Sequence, residues 1–280
     1  MKNAAPVNRL IPFSAVDGPG NRTVVFLQGC TFSCKYCHNP ETITPCNACG
    51  SCLSVCPTGA IQAEGGRIVY HPAKCVMCDA CIHACPRNAC PRIRYLTAEE
   101  TMREIRSNLP FIRGATVSGG ECTLHRNYLE ELAHLCHNEG CTILLDSNGS
   151  YDFSEDTELL DAVDGVMLDV KAWDEEEHLN LIGAKNVTVK KNLCYLAERG
   201  KLAEVRTVVV PDEMNAAETV RNVSRTLAEL GAADVPYKII RFRPMGVRRE
   251  YRHFRSPDQK ELENLEAVAR AEGLKKIIQI

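Results

Sequence analysis

The sequence predicts an α/β fold, a partial barrel of six βα units that carries an inserted subdomain. From Thr97 onward, short β-rich runs alternate with amphipathic helical stretches, the pattern of βα units around a parallel sheet. Residues 42–94 break this alternation and are rich in Cys, Pro and Gly, without a sustained helix. We therefore expect a barrel of residues 1–41 and 95–280 and an insert of residues 42–94. An open doubly wound sheet would give the same alternation, so both sheet forms stay open.

Each element rests on a local signal. Thr97 and Glu100 form a capping box at the first helix, and Gly140 closes the second. The predicted strands cover residues 23–27, 115–118, 142–145, 165–168, 204–210 and 237–242, and the run at 277–278 is either a seventh strand or a terminal tail. The predicted helices cover 97–109, 129–136, 158–163, 189–199, 216–230 and 257–271.

Composition excludes several classes of protein. The 280 residues are 45% hydrophobic and 25% charged, which is ordinary for a globular protein and excludes a disordered or fibrous one. The net charge of -3 gives no overall basic field for nucleic acid or anionic lipid. Neither a secretory signal nor a membrane-spanning run is evident. We therefore expect a cytoplasmic monomer that binds neither nucleic acid nor membrane, in which 16 cysteines indicate metal or redox chemistry.

The insert contains the same cysteine pattern twice, Cys-x2-Cys-x2-Cys-x3-Cys-Pro. In such runs three cysteines hold one cubane cluster and the fourth is directed to the other cluster. The spacing therefore predicts a bacterial-ferredoxin-like unit with two [4Fe–4S] clusters. One would be held by Cys46, Cys49, Cys52 and Cys85, and the other by Cys75, Cys78, Cys81 and Cys56. Structural zinc is the alternative, although zinc sites usually use two separated cysteine pairs.

Cys30, Cys34 and Cys37 have a different spacing, Cys-x3-Cys-x2-Cys, and no fourth cysteine obviously belongs to them. Three thiolates bind three irons of a cubane and leave the fourth iron open, as in a site that does chemistry. The alternative is a third ferredoxin-like loop that takes a distant thiol such as Cys90 or Cys122.

The Cys30 loop resembles the loop that defines the radical S-adenosylmethionine enzymes, and Tyr36 and His38 also fit. Further motifs follow in order along nearly the whole chain: Asp17-Gly18-Pro19-Gly20, Cys37-His38-Asn39, Ser118-Gly119-Gly120-Glu121, Asp146-Ser147-Asn148-Gly149, Asp169-Val170-Lys171 and Arg206 in the fifth strand. Together they resemble the activating enzymes of glycyl radical enzymes, most of all the YjjW-type activases. Most of these motifs fall at the ends of predicted strands, where barrel enzymes place their chemistry.

The resemblance implies a role for each of these residues. Cys30, Cys34, Cys37 and Lys171 would be catalytic, with the open iron chelated by the amino and carboxylate groups of S-adenosylmethionine. The cofactor-binding residues would be Tyr36, Cys37, His38, Ser118, Gly119, Gly120, Glu121, Ser147, Asp169, Lys171, Arg206 and Arg243. Asp146, Ser147 and Asp169 would also bind a monovalent cation, although Asp146-Ser147-Asn148-Gly149 is good turn chemistry by itself. Arg243 stands where the smaller activases carry a His.

The implied function is that of an oxidoreductase of anaerobic cells. Reductive cleavage of S-adenosylmethionine would give a 5′-deoxyadenosyl radical that takes hydrogen from a backbone glycine of a partner glycyl radical enzyme. A flavodoxin or ferredoxin would supply the electron. The alternatives are a radical S-adenosylmethionine enzyme that modifies a peptide or small molecule, and a ferredoxin-type electron carrier with a fused α/β domain.

Overall fold

The computed structural model describes residues 3–280 as eleven strands and eight α-helices. The strands are β1 Ala5–Ser14, β2 Arg22–Leu27, β3 Ile61–Glu64, β4 Arg67–Tyr70, β5 Arg94–Leu96, β6 Gly114–Gly119, β7 Thr142–Ser147, β8 Gly165–Asp169, β9 Leu202–Val209, β10 Tyr237–Arg241 and β11 Ile277–Gln279. The helices are α1 Ala80–His83, α2 Ala98–Arg106, α3 Arg126–Asn138, α4 Thr157–Ala162, α5 Glu175–Ile182, α6 Val187–Glu198, α7 Ala216–Glu229 and α8 Gln259–Ala271.

Nine strands form one sheet in the order β11-β10-β9-β8-β7-β6-β2-β1-β5. The seven strands from β2 to β11 pair in parallel, whereas β1 is antiparallel to both β2 and β5. The parallel strands follow the order of the chain, without the reversal of a doubly wound sheet, so the topology is that of an open barrel. The run at 277–278 is the seventh parallel strand, β11.

The predicted strands and helices are confirmed, with shifts of a few residues at their ends. Besides β3, β4 and α1 within residues 42–94, three strands and helices were not predicted, namely β1, β5 and α5. Pro6 and Pro12 interrupt the residue pattern of β1, and β5 has three residues, too few to show alternation. The helix α5 begins after the N-cap Asp174 and ends at the left-handed Gly183, so its sequence does carry the usual boundary signals.

Helices cover one face of the sheet. Val117, Leu145 and Leu168 belong to the buried apolar core, and consecutive helices pack in the pairs α2–α3, α3–α4, α6–α7 and α7–α8. The predicted capping box is present, because Thr97 and Glu100 exchange side-chain to backbone hydrogen bonds. This layer leaves the other face, called the inner face here, to the polar side chains described below.

The segment between β1 and β2 lies against this inner face. Thr116 donates its hydroxyl proton to the carbonyl oxygen of Asp17 at 2.7 Å. Arg206 and Lys238 both donate to the carbonyl oxygen of Val16, at 3.4 and 3.0 Å. The turn that contains Asp17 is therefore fixed to strands in the middle and at the far side of the sheet.

The predicted insert contains the β3–β4 hairpin and the single turn of α1, with a small core of Cys52, Ile61 and Cys81. It ends at Arg94, where β5 returns the chain to the large sheet. No helix within residues 3–280 is long and apolar enough to cross a membrane.

Candidate functional site

Three cysteines follow β2 and line one cavity of about 250 Å³ at the carboxyl ends of the parallel strands. The backbone N–H of Cys37 donates to the carbonyl oxygen of Cys34 at 3.2 Å, which folds the loop into a turn. The thiol sulfur of Cys30 accepts from the backbone N–H of Phe32 at 3.4 Å and from Nδ2 of Asn148 at 3.5 Å. The predicted cysteine triad is therefore gathered at one site.

Burial disfavours the charged form of all three thiols. It raises the pKa of Cys30 to about 11 and that of Cys37 to about 12, and it raises the pKa of Cys34 as well. Thiolates held this close together also repel one another. A bound metal would supply the positive charge that makes three buried thiolates stable, so the donor set fits an iron–sulfur cluster.

Four further strand ends contribute side chains or backbone to the same cavity. They are Ser118, Gly119 and Gly120 at the end of β6, Asp146 and Asn148 at the end of β7, Asp169 and Lys171 at the end of β8, and Arg206 in β9. Phe26, Tyr36 and His38 complete the wall beside the cysteines. Most of the predicted site residues therefore meet in one place.

A buried network connects the strand ends on the inner face. Asp146 accepts from the hydroxyl of Ser118 at 2.8 Å and from Nη1 of Arg206 at 3.1 Å. Burial raises the pKa of Asp146, and the Arg206 guanidinium opposes this shift. Glu204 pairs with both Arg206 and Lys238, with its carboxylate 2.9 Å from the Lys238 ammonium. The network holds Asp146 and Arg206 in fixed positions at the cavity.

Lys171 lines the cavity together with the three cysteines. Its ammonium lies 2.7 Å from Asp169 and 6.0 Å from the centre of the Tyr36 ring. Burial opposes its charge, but the Asp169 carboxylate raises the pKa of Lys171 well above its usual value. Burial also raises the pKa of Tyr36, whose hydroxyl is buried and has no hydrogen-bond partner within residues 3–280. An unused donor thus lies in the cavity wall.

Glu121 and Ser147 lie behind the cavity rather than in its wall. The Glu121 carboxylate is buried and accepts from the Thr123 hydroxyl and N–H, the Ser147 hydroxyl and the Asn148 N–H. These contacts position the turn after β7. The three side chains expected to bind a monovalent cation therefore do not point to one place, because the Ser147 hydroxyl donates to Glu121, away from Asp146 and Asp169. Within residues 3–280, no three His, Cys, Asp or Glu side chains converge on a single-ion site.

Arg243 follows β10, and its exposed side chain does not line the cavity. Its carbonyl oxygen forms a hydrogen bond of 2.8 Å with Nε2 of His38. Burial lowers the pKa of His38, so the ring is neutral near pH 7. The structure therefore connects Arg243 to the site through its backbone.

The packing of the chain requires glycine at Gly119, the last residue of β6, and at Gly120 directly after it. A Cβ atom at Gly119 would overlap the backbone of Leu27, and one at Gly120 would overlap the carbonyl oxygen of Gly29. The N–H groups of Gly120 and Glu121 donate to these same carbonyls, at 3.0 and 2.7 Å. The glycines let the loop after β6 pack on the start of the cysteine loop while both also line the cavity.

The eight insert cysteines surround two small cavities. One is lined by Cys46, Cys49, Cys52 and Cys85, and also by Cys81. The other is lined by Cys56, Cys75, Cys78 and Cys81. Each predicted ligand set thus borders one common cavity, with the fourth cysteine coming from the other half of the insert.

The two halves of the insert also share a backbone conformation. Left-handed residues occur in three pairs that are 29 positions apart: Ala48 and Met77, Gly50 and Asp79, Gly59 and Asn88. The first pair turns its N–H groups toward thiol sulfurs, Ala48 to Cys46 and Met77 to Cys75, both at 3.4 Å. Ala, Met and Asp adopt this conformation at a free-energy cost, so its repetition indicates that the two loops have the same structural requirement.

Three residues were not predicted to have a role at the site. Asn148 lines the cavity, and Glu204 and Lys238 hold the network behind it. Asn148 belongs to the motif Asp146-Ser147-Asn148-Gly149, in which a role was predicted only for Asp146 and Ser147. Glu204 and Lys238 are charges within largely apolar strands, a signal that could have marked both as facing a polar interior.

Comparisons with known proteins agree with this site. The model of the Radical SAM superfamily matches residues 24–223. A Haemophilus influenzae protein named as a glycyl-radical enzyme activating enzyme is 32% identical, covering 98% of this chain and 96% of its own length. The indoleacetate decarboxylase activating enzyme of Tractidigestivibacter scatoligenes is 28% identical, covering 95% and 94%.

Among solved structures, QueE from Escherichia coli superposes with a TM-score of 0.56 at 12% identity, covering 100% of this chain and 95% of its own. This likeness concerns the fold alone. The superfamily model spans more than half of the chain, and the Haemophilus protein is similar over nearly its whole length. The chain therefore belongs to the radical SAM superfamily and, within it, to the glycyl-radical enzyme activating enzymes.

Proposed function

We propose that this protein activates a glycyl radical enzyme by removing a hydrogen atom from a backbone glycine of that partner. The observation that carries the proposal is the meeting of three buried thiols with the polar ends of four strands in one cavity. The relatives named as activating enzymes support the same activity.

Cys30, Cys34 and Cys37 would hold the catalytic [4Fe–4S] cluster. When bound, this cluster offers S-adenosylmethionine an open iron and supplies the electron that splits its carbon–sulfur bond, giving the 5′-deoxyadenosyl radical that takes the hydrogen. Asn148 donates to the Cys30 sulfur and so favours its thiolate.

Lys171 is the residue that we assign to the carboxylate of S-adenosylmethionine. Asp169 fixes its ammonium from one side, and the Tyr36 ring lies on another. The free hydroxyl of Tyr36 is a second group that could meet the cofactor. The Arg206 guanidinium already pairs with Asp146 and Glu204. If it also contacts the cofactor, as predicted, the same group would serve both the cofactor and the buried network.

The partner's loop would enter on the open side of the sheet. β11 and β5 are its two edges, and within residues 3–280 they do not pair with each other. A closed barrel would fill its interior with side chains, whereas an open one admits a peptide to the strand ends. The substrate is then a protein segment with a glycine that reaches the cavity.

The insert would bind two further [4Fe–4S] clusters, giving three in all. The two ligand sets border separate small cavities, and N–H groups of left-handed residues point at their sulfurs, which supports this assignment over structural zinc. A flavodoxin or ferredoxin would provide electrons. A monovalent cation beside Asp146 and Asp169 is supported less, because Arg206 and Lys171 already neutralise these carboxylates.

We further expect a monomer that works in the cytoplasm, where thiols stay reduced. Metal-free cysteines in such numbers would otherwise oxidise.

The test is anaerobic reconstitution followed by iron and acid-labile sulfide analysis and electron paramagnetic resonance. The holoenzyme should hold about 12 irons, and with dithionite, S-adenosylmethionine and a partner that has a C-terminal glycyl motif it should give a doublet protein radical. The variant C30A/C34A/C37A should hold about 8 irons and release no 5′-deoxyadenosine. Cys194→Ala is the matched control and should behave as wild type.

Two results would contradict the proposal. Cofactor cleavage without a protein radical would indicate modification of another peptide or of a small molecule. Cluster reduction without any cofactor cleavage would indicate an electron carrier.

A further inference from the structure

A cleft of about 610 Å³ lies outside the catalytic cavity, between the insert and the loop that follows β10. Its walls contain five arginines and two carboxylates: Arg9, Arg92, Arg248, Arg249 and Arg252, with Glu41 and Asp79. The whole chain has a net charge of -3, so this concentration of positive charge is local. Such a patch attracts an acidic surface and accelerates its association.

The two carboxylates neutralise only part of the cleft. Arg9 pairs with Glu41 at 3.7 Å, and Arg92 pairs with Asp79 at 2.5 Å. Arg92 also donates to the sulfur of Met77, which holds it against the insert. These two arginines therefore stiffen the wall rather than offer free charge.

The other three arginines have no carboxylate within 4.0 Å in residues 3–280. Arg248 donates to the carbonyls of Ser33 and Cys34, which places a guanidinium directly on the catalytic cysteine loop. Arg249 and Arg252 are exposed at the rim. The buried Nε atoms of Arg248 and of Arg9 have no acceptor in the described chain. The cleft thus has more cationic donors than its own residues satisfy.

Exposed apolar side chains adjoin these charges. Met77 lines the cleft with 61% of its surface exposed, and its neighbour Val76 is 62% exposed. Across the cleft, Met245 is 80% exposed next to Gly246, another wall residue. Flexible methionines inside a ring of charge are typical of surfaces that bind another protein for a short time.

The cleft also lies beside all three cysteine groups. His38 follows Cys37 directly and forms part of the wall of both the cleft and the catalytic cavity. Met77 stands between Cys75 and Cys78, and His83 is two residues before Cys85. A protein seated in the cleft would therefore touch residues adjacent to ligands of each predicted cluster.

We propose that this cleft is the docking surface for an acidic one-electron carrier protein. The inference rests on the proposed function, which requires an electron at the Cys30 loop. In the step that docking would allow, a flavin hydroquinone of the carrier loses one electron and becomes a semiquinone, while one [4Fe–4S] cluster goes from the 2+ to the 1+ state. An acidic carrier surface matches the unpaired arginines, and its apolar centre would cover Met77 and Met245.

The test uses the reconstituted holoenzyme with a reduced, acidic flavodoxin as the probe. The variant R249E/R252E should lower the second-order rate constant of cluster reduction by at least about tenfold at low salt. At about 0.3 M salt, the difference in this rate constant between wild type and variant should largely disappear. The control R103E/K260E makes the same charge change at exposed positions of α2 and α8 and should keep the wild-type rate. Dithionite-driven cleavage of S-adenosylmethionine should be equal in all three proteins.

Several outcomes would overturn docking at the cleft. One is a flavodoxin rate that R249E/R252E leaves unchanged or that the control lowers equally. Another is a loss of dithionite-driven cleavage in the cleft variant, which would indicate damage to the site. A variant that is reduced normally but no longer activates the glycyl radical enzyme would assign the cleft to that partner instead. Failure of the wild-type protein itself to cleave the cofactor with dithionite would count against the proposed function, whereas the flavodoxin rates would still decide the docking surface.

Discussion

Glu121 accepts a hydrogen bond from the backbone N–H of Asn148 at 2.7 Å, and so the loop after β6 holds the turn that follows β7. The side chain of Asn148 then donates to the Cys30 sulfur at 3.5 Å and to the Thr31 hydroxyl at 3.1 Å. A buried carboxylate that does not line the cavity is thus connected to Cys30, a predicted cluster ligand. It acts as a positioning residue through Asn148.

Asn148→Ala should make the reduction potential of the catalytic cluster more negative, on the order of tens of millivolts. The change keeps the backbone N–H that binds Glu121 but removes the N–H donor to the Cys30 sulfur, which leaves more negative charge on the thiolate. A redox titration followed by electron paramagnetic resonance measures the shift. Thr31→Ala is the control, since it removes the other acceptor of the Asn148 Nδ2 group and leaves the bond to sulfur intact. Equal potentials for Asn148→Ala and wild type would refute this role.

Lys171→Met should weaken binding of S-adenosylmethionine by at least about tenfold and lower the free energy of unfolding by about 1–3 kcal/mol, because the partly buried Asp169 loses its ion-pair partner. The double variant D169N/K171M should recover much of the stability without recovering cofactor affinity. Calorimetric binding and chemical unfolding separate the two effects. Recovery of affinity in the double variant would show that Lys171 acts only by neutralising Asp169.

Cross-ligation in the insert can be tested by iron content. In a chain that carries C75A/C78A/C81A, one insert cluster is absent, and the remaining one should depend on Cys85 because Cys85 shares a cavity with Cys46, Cys49 and Cys52. Adding Cys85→Ala should lower the iron content by up to about four atoms, whereas adding Cys56→Ala should leave it unchanged. The opposite ranking of Cys85→Ala and Cys56→Ala would mean that each half closes its own cluster.

Gly120→Ala should destabilise the fold by about 3 kcal/mol or more, because its Cβ would overlap the carbonyl oxygen of Gly29 at the start of the cysteine loop. Gly140 follows the end of α3 with a left-handed backbone conformation, and a Cβ there would meet no other atom. Gly140→Ala should therefore lower the free energy of unfolding by only about 1 kcal/mol. Urea unfolding of the two metal-free variants gives both values. A smaller loss of stability for Gly120→Ala than for Gly140→Ala would show that the loop after β6 can move to accommodate the added methyl group.

The parts of the site that depend on local sequence could be predicted from it. Cysteine spacing marked the loops, and strand ends marked Asp146, Asp169 and Lys171, because neighbouring parallel strands end at the same edge. The parts of the site that depend on the direction of a side chain could not be predicted from the sequence. Ser147 faces Glu121 because adjacent strand residues point to opposite faces, and a motif does not say which face is which.

Contacts between side chains that are far apart in the sequence could not be predicted from it either. Glu204 could be seen as a charge in an apolar strand, but its partner Lys238 lies on β10, the next strand of the sheet. Arg243 was placed at the site by alignment with a histidine, whereas the structure connects its backbone to His38. Register and loop packing decide both contacts, and neither is encoded in spacing.

The hydrogen bond from Lys238 to the carbonyl of Val16 joins residues that are 222 positions apart. On a ribosome this contact can therefore form only after most of the chain has been made. The cysteine loop at Cys30 leaves the ribosome early, long before Lys171 and Arg206 are available to complete its surroundings. We therefore expect a cluster at Cys30, Cys34 and Cys37 to be loaded after synthesis, and a truncated chain without β10 should expose these thiols to oxidation.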